Sequence, residues 1–343
     1  MKKVLLSIVM ILLIAGGAVS QDFSNFPITK IKVNPNVIVY KAGLTGAYSN
    51  MVAVKTSGGI VVIDALQYPE VAKRVREMIT KDLNGEVKYL INSHGAFDHT
   101  GGNIAFDDVP IIGCADVKRE MQMFQQMEAS PQFESFVQEQ MIKKPEEMRA
   151  SYIGDKREID ESIELYKNLL KSIKDNTFKI VIPDTLFDDH YTLKVGNTTF
   201  NMYHNTPSYS RSDIIIYIPE EKTLVMADIF NNNRIPVINR NTDLKKWEAL
   251  FEPYLNGKIE VKHFIGTHGK PLPLDEMKNQ FNYIKTLFKE VEKIKSAGKT
   301  MVEAIDELAL TKLPYLSKYN PYFYGTAMNQ HEMNIKAVWG LVK

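Results

Sequence analysis

The chain has 343 residues, of which 44% are hydrophobic and 24% are charged, a balance typical of a globular protein with a substantial core. Forty-two basic residues against forty-one acidic ones leave a net charge of +1, which argues against the basic surface of a general nucleic-acid binder. The single cysteine, Cys114, excludes an intrachain disulfide and a thiolate-rich zinc site, so a metal would be held mainly by His, Asp and Glu.

The first twenty residues have the three parts of a secretory signal peptide. Lys2 and Lys3 form a basic start, an apolar run from Val4 to Ile14 follows, and small residues lead to a cleavage site after Ser20. The run is shorter than the roughly 20 apolar residues that span a bilayer. We therefore expect a periplasmic or secreted protein with no membrane segment after cleavage, whose domain covers residues 21–343.

The first third of the mature chain alternates between strand and helix patterns. Runs of β-branched, aromatic and other apolar residues predict strands. These strands are expected at 37–40, 51–54, 60–63 and 87–91. Residues 57–59 predict a hairpin turn, and apolar spacing predicts a helix over 68–82. The order of strand, helix and strand predicts a layered α/β fold.

The rest of the chain changes character twice. Residues 116–176 are rich in Glu, Lys, Gln and Met and predict a helical insertion. Its methionines are expected to pack in a core, and the alternative is that they line an adaptable apolar pocket. Strand patterns then return. They are expected at 178–182, 191–195, 198–203, 214–218, 223–227 and 261–265. The chain from 274 to 343 predicts C-terminal helices, and aromatic residues at 322–324 would suit a pocket wall or a homodimer contact.

A dense cluster of metal-ligand residue types follows the strand at 87–91. The segment from Ser93 to Gly102 reads SHGAFDHTGG and places His94, Asp98 and His99 within six residues. Imidazole and carboxylate groups at short range are usual ligands of divalent metals. We expect the glycine pair at its end to let the backbone turn sharply into the next element.

This segment resembles the His-x-His-x-Asp-His motif of the metallo-β-lactamase superfamily, which is followed by a glycine pair. Four further blocks are similar to the family in the same order. They are the Ser49-Asn50 strand start with the hairpin ending at Asp64, the loop 205–210, the strand end at Asp228 and the loop 266–269. The blocks cover most of residues 37–270. The resemblance implies an α/β protein with a four-layer αββα sandwich.

The resemblance also implies which residues hold metal. The family's second position uses Asp98, His99 and His268, and Asp228 takes the bridging position. The first position keeps His94, but Ala96 and Tyr209 stand where its other two histidines are expected. The sequence therefore favours one metal ion, with two metal ions as the alternative. Zinc is the usual metal for His and Asp ligands. His204 and Asp213 are alternatives for restoring the first position, and Asp64 is expected to hold the His94 loop from behind.

The implied function is a metal-dependent hydrolase acting on a small molecule. One metal-bound water would attack an ester, amide, lactam or sulfate ester, with Asp98 orienting the water or taking its proton. Tyr209 would donate to the substrate or the developing oxyanion, or would only fill the volume of the missing ligand. The competing function is a catalytically lapsed binding protein of the same fold, in which Asp98 caps a helix and His99 pairs with Asp228.

Overall fold

The protein was studied as a computed structural model. The described residues are 23–128, 130–152, 154–204, 209–240, 242–310 and 319–342. The predicted signal peptide and the segment 205–208 of the family-like loop lie outside them. None of the helices in these ranges combines the length and the apolar character that crossing a bilayer requires.

Two β-sheets form the centre of the molecule. The first has seven strands in sequential order, β1 to β7. They are Ile28–Lys32 (β1), Val37–Ala42 (β2), Asn50–Thr56 (β3), Gly59–Ile63 (β4), Val87–Ile91 (β5), Ile111–Cys114 (β6) and Thr185–Phe187 (β7). The second has five strands in the order β12-β11-β10-β9-β8. They are His190–Val195 (β8), Thr198–Tyr203 (β9), Ile215–Ile218 (β10), Thr223–Val225 (β11) and His263–Ile265 (β12).

Helices pack around the two sheets. Those before β7 are Pro69–Leu83 (α1), Phe97–Thr100 (α2), Ala115–Glu128 (α3), Pro131–Phe136 (α4), Lys144–Met148 (α5) and Lys156–Lys174 (α6). A π-helical stretch, Val137–Lys143, joins α4 to α5. Those after β11 are Leu244–Leu255 (α7), Leu274–Ser296 (α8), Met301–Glu307 (α9) and Gln330–Leu341 (α10).

Three hydrophobic clusters separate these layers. One lies between the two sheets and includes Val52, Val61 and Phe200. A second fills the space between the first sheet and α1, and a third joins the second sheet to α7, α8 and α10. Residues that alternate along a strand point to opposite faces, so each sheet contributes to an inner and an outer cluster. The predicted αββα sandwich is confirmed.

One strand prediction is wrong. Residues 178–182 form no strand, and β7 begins only at Thr185. The Val181 carbonyl accepts a hydrogen bond from the Asn103 side chain at 2.8 Å, and pairing with β6 begins only at Thr185. Phe178 instead packs edge-on against Phe124 of α3, with ring centroids 5.8 Å apart.

The sheet topology determines where functional loops meet. In the first sheet β4 runs parallel to β5, and in the second β11 runs parallel to β12. The carboxyl ends of parallel neighbours lie at the same edge of a sheet, so the loops after these strands come together. A bridge between Ser49 and His268 joins the two sheets at this edge.

Candidate metal centre and its pocket

Four strand ends supply most of the polar residues predicted from the sequence. Asp64 follows β4 directly, His94 follows β5, Asp228 follows β11 and His268 follows β12. All four side chains are buried. The predicted residues from separate parts of the chain therefore share one edge of the sandwich.

Asp98 and His99 come from the short helix α2, which begins after Ala96. The backbone N–H groups of His99 and Thr100 donate to the Ala96 carbonyl, at 3.0 and 3.1 Å, and the Asp98 side chain makes no capping hydrogen bond. The Asp98 side chain turns instead toward His99 and His268. The arrangement that the lapsed alternative assigned to Asp98 is therefore absent from this helix.

The expected role of the glycine pair is wrong. Gly101 has a φ of −60° and Gly102 a φ of −87°, values that any residue adopts. Both positions lie against backbone: a Cβ atom at Gly101 would overlap the carbonyl of Gln67, and one at Gly102 would overlap that of Ala65. Glycine is needed here because α2 packs directly on the chain that follows β4, and not because the chain turns sharply.

The imidazole and carboxylate groups converge on one point. Nε2 of His99 lies 3.2 Å from Nε2 of His268, and Oδ2 of Asp98 lies 3.3 Å from both nitrogens. Oδ2 of Asp228 lies 3.4 Å from Nε2 of His268 and 3.7 Å from Nε2 of His99. Nε2 of His94 lies 3.8 Å from the same carboxylate oxygen. Two carboxylates and three imidazoles thus point at a shared space.

Hydrogen bonds behind the histidines fix which ring nitrogen carries the proton. Nδ1–H of His268 donates to the Gly46 carbonyl at 3.0 Å, because a carbonyl can only accept. Nδ1–H of His99 donates to Oδ2 of Asp64 at 3.0 Å. The Ser93 hydroxyl donates to Asp64 at 2.7 Å and so accepts from Nδ1–H of His94 at 3.0 Å. Each histidine in its neutral form therefore turns a free Nε2 lone pair toward the shared space.

This arrangement fits a divalent cation. Two lone pairs facing each other at 3.2 Å repel unless a metal ion or a proton lies between them, and Nε2 of His94 is buried with no hydrogen-bond partner among the described residues. Two overlapping sets of ligand atoms lie within 4.8 Å: Asp98, His99 and His268, and also His94, His99 and Asp228. Imidazole and carboxylate donors suit zinc.

The protonation states of the clustered histidines and carboxylates depend on each other. Burial opposes protonation of His268, but the carboxylates of Asp228 and Asp98 outweigh it and raise its pKa to about 9. The pKa of His99 is raised for the same reason, against the effect of burial, by Asp98 and Asp228. Burial disfavours ionised Asp228, yet His268 and His99 hold its pKa well below the usual range. In the absence of metal, protons therefore occupy part of the space between these ligands.

The first position of the family pattern is reduced to His94. Ala96 offers no ligand, and the Tyr209 ring packs edge-on against the His94 ring, with centroids 5.6 Å apart. His204 is held by the carbonyls of Asp188 and Arg211, at 2.8 and 2.7 Å. Asp213 accepts hydrogen bonds from Ser210. Neither His204 nor Asp213 belongs to a ligand cluster within the described part of the chain.

Asp64 and Thr267 hold the ligands from behind. Asp64 accepts the Ser93 N–H at 2.7 Å as well as the bonds from the Ser93 hydroxyl and His99. The Thr267 hydroxyl donates to Oδ1 of Asp228 at 2.5 Å, which leaves Oδ2 to face the histidines. Sequence reasoning missed Thr267, although its position next to His268 was a usable signal.

A pocket opens directly in front of the cluster, with a cavity volume of about 360 Å³. Asp98, Asp228, His268 and Tyr209 lie in its wall. Burial raises the pKa of Tyr209 well above its usual value, so the phenol keeps its proton and can donate a hydrogen bond. The helical insertion contributes Glu120, whose carboxylate accepts from the Ser212 hydroxyl, and burial raises the pKa of this carboxyl. No motif in the sequence marked Glu120.

The aromatic and methionine segments have divided roles. Phe323 and Tyr324 line the pocket, as do Met123 and Met127, whereas Met121 is buried in the core between the sheets. The sequence alone could not separate the pocket methionines from the core methionine because both lie on one helix with similar spacing.

Comparisons with known proteins bear on the family and the fold. The sequence model of the metallo-beta-lactamase superfamily matches residues 44–268. A search of curated proteins finds no match.

Solved structures share the fold at low sequence identity. A stereoselective inverting sec-alkylsulfatase from Pseudomonas sp. superposes with a TM-score of 0.63 and 18% identity, over 91% of this chain and 50% of the other. This chain thus spans about half the length of that alkylsulfatase. A metallo-beta-lactamase from Hirschia baltica superposes with a TM-score of 0.50 and 11% identity, over 75% of this chain and 97% of the other.

Proposed function

The chain belongs to the metallo-beta-lactamase superfamily, and on this basis we propose that it is a hydrolase dependent on one divalent cation, by default zinc. Asp98, His99 and His268 would hold the ion, with Asp228 beside them. A cation there supplies Lewis acidity and lowers the pKa of a coordinated water toward neutrality. The substrate class is an ester, amide, lactam or sulfate ester.

The convergence of His99 and His268 carries this proposal. Their Nε2 atoms lie 3.2 Å apart, and the Gly46 carbonyl and Asp64 hold the opposite nitrogen of each ring as a donor. This pair, with a carboxylate oxygen 3.3 Å from both nitrogens, supports a ligand set and is hard to explain as a packing arrangement of neutral rings.

The chain's own side chains supply the proton chemistry. Desolvation opposes ionisation of Asp98, which is partly exposed to the pocket, but His99 and His268 hold its pKa below the usual range, so Asp98 is ionised and can orient a water or accept its proton. Tyr209 stays protonated and faces the same pocket, where it can donate to an oxygen that gains negative charge.

Metal analysis of zinc-loaded protein tests the proposal. We expect close to one zinc per chain and a clear loss in His268→Ala. The matched control is His190→Ala, because His190 is exposed on β8 and stacks only on Tyr203 among described rings. A zinc content near two would contradict the single ion. No bound zinc would exclude the hydrolase and favour the lapsed binding protein.

Export is proposed on the sequence of residues 1–20 alone. Expression of the full chain in a bacterium with an outer membrane, followed by fractionation and N-terminal sequencing, should yield a periplasmic or secreted chain that starts at Gln21. A cytoplasmic product with Lys2 and Lys3 retained would contradict export.

A further inference from the structure

Apart from the metal ligands, the pocket is mainly apolar. Phe97, Phe124, Leu165 and Phe323 line it together with Tyr166. Phe97 stacks on Phe124 with ring centroids 5.6 Å apart and an interplanar angle of 15°. Stacked rings present a fixed apolar surface, and burying apolar substrate area against them is favourable. The walls are therefore built to receive an alkyl or aryl group.

The apolar surface continues to the mouth of the pocket. Met123 and Met127 lie one turn apart on α3, line the cavity, and are 57% and 52% exposed. Methionine side chains adapt to ligands of different shape. A substrate with an apolar part longer than the cavity would meet these two side chains as it leaves the pocket.

Carboxylates outnumber cationic side chains in the described lining of the pocket, where the imidazole of His268 faces Oδ2 of Asp98 at 3.3 Å and Oδ2 of Asp228 at 3.4 Å. Among the described residues that line it there is no lysine or arginine, while Asp98, Asp228 and Glu120 are present. One divalent cation would only balance Asp98 and Asp228. Arg234 lies on the Tyr324 ring, with its guanidinium carbon 4.7 Å from the ring centroid, and it pairs with Glu158. An anionic group entering the pocket would find no free cationic partner on these walls and would lose its hydration.

We propose that this pocket selects uncharged substrates with an alkyl or aryl part, and discriminates against anionic ones. If the proposed hydrolase function holds, the substrates are neutral esters or amides, and sulfate esters and carboxylate-bearing lactams are poor ones. The selectivity itself is a property of binding, so it is measurable without turnover.

Two dyes that differ by one sulfonate test the selectivity. N-phenyl-1-naphthylamine is uncharged, and 1-anilinonaphthalene-8-sulfonate carries the same ring system with a negative charge. Fluorescence titration of the mature protein, both zinc-loaded and chelated, should show the uncharged dye binding about tenfold or more tightly. Equal affinity or tighter binding of the sulfonate would overturn the proposal, as would no binding of the uncharged dye.

Matched variants place the binding in the pocket. Phe124→Ala should weaken binding of the uncharged dye about threefold to tenfold, since an aromatic contact is lost. Met127→Lys adds a cation at the mouth of the pocket. It should reduce the ratio of the affinities for the uncharged dye and the sulfonate about twofold to fivefold. Met333→Lys is the control, because Met333 is similarly exposed but lies on α10, outside the pocket lining. Unchanged dye affinities in both pocket variants would overturn the proposal.

Hydrolysis assays separate this inference from the function itself. If zinc-loaded protein cleaves 4-nitrophenyl butyrate but not 4-nitrophenyl sulfate, the result supports both the hydrolase function and the selectivity. If dye selectivity is present and no ester is cleaved, the selectivity stands and the hydrolase fails. If the sulfate is the better substrate, the hydrolase stands and the selectivity is wrong.

Discussion

Asp64 offers a direct test of how the site is held together, because it contacts the ligands without facing the pocket. Its carboxylate is fully buried and accepts three hydrogen bonds, from the N–H and hydroxyl of Ser93 and from His99. Asp64 also has a φ of 60°, in the left-handed region. Asparagine tolerates that conformation, so Asp64→Asn changes the chemistry with little backbone strain.

The substitution removes one acceptor and the negative charge. An asparagine has a single acceptor oxygen, so its NH₂ group must face a donor, either Ser93 or Nδ1–H of His99. If His99 changes from the Nδ1–H tautomer to the Nε2–H tautomer, its Nε2 lone pair no longer faces the cation. Loss of a partner behind a metal-binding histidine typically weakens metal affinity about 10- to 100-fold, which corresponds to about 1.4–2.8 kcal/mol.

Competition with a chromogenic chelator measures the zinc dissociation constant of both proteins. Asp108→Asn is the control, because Asp108 is exposed, pairs with Arg76 and is not one of the residues that line the pocket. Circular dichroism and urea unfolding must show that the Asp64 variant is folded. A folded Asp64→Asn protein with wild-type zinc affinity would refute the view that Asp64 sets the proton position of His99.

Three further substitutions address separate parts of the site and its surroundings. His94→Ala should leave the zinc content near one if the ion sits at Asp98, His99 and His268, and a loss of bound zinc would place His94 among the ligands. Tyr209→Phe should lower kcat for a neutral ester about 100-fold with little change in KM if the hydroxyl donates to the oxyanion; unchanged kcat would leave Tyr209 as a space-filling residue. Burial raises the pKa of Glu128 to about 7, so its favourable contribution to stability is full below about pH 4.5 and is lost as the pH rises through 7. Glu128→Gln should therefore gain on the order of 1–2 kcal/mol relative to wild type between pH 5 and pH 8 in urea unfolding, less than full burial would give because the side chain is partly exposed.

Most of the fold was predictable because the segments that form strands are recognisable from their local sequence. The runs that form β3 and β4 are apolar and β-branched, and the glycine turn between them determines their pairing. Residues 178–182 have a similar apolar and β-branched composition, but their backbone bonds to Ser172 and to the Asn103 side chain instead of to a neighbouring strand. Strand propensity indicates which segments can adopt an extended conformation, whereas strand pairing depends on neighbours that are distant in sequence.

The metal ligands and the substrate walls differ in how much the sequence can reveal. A metal ligand must be one of a few residue types, so His94, His99 and His268 stand out in a chain with only seven histidines, and Asp98 and Asp228 are recognised from their places in the family-like blocks. A pocket wall needs only apolar bulk, which Phe124 shares with every core phenylalanine.

Glu120 shows the same limit for a polar group. On α3 it looks like any surface carboxylate of an amphipathic helix, and only the packing of the insertion over the strand ends brings it to Ser212 and into the pocket. The proposed substrate selectivity therefore depends on tertiary contacts between the insertion and the sandwich, and we expect a transplanted insertion to change which substrates bind while leaving the metal ligands in place.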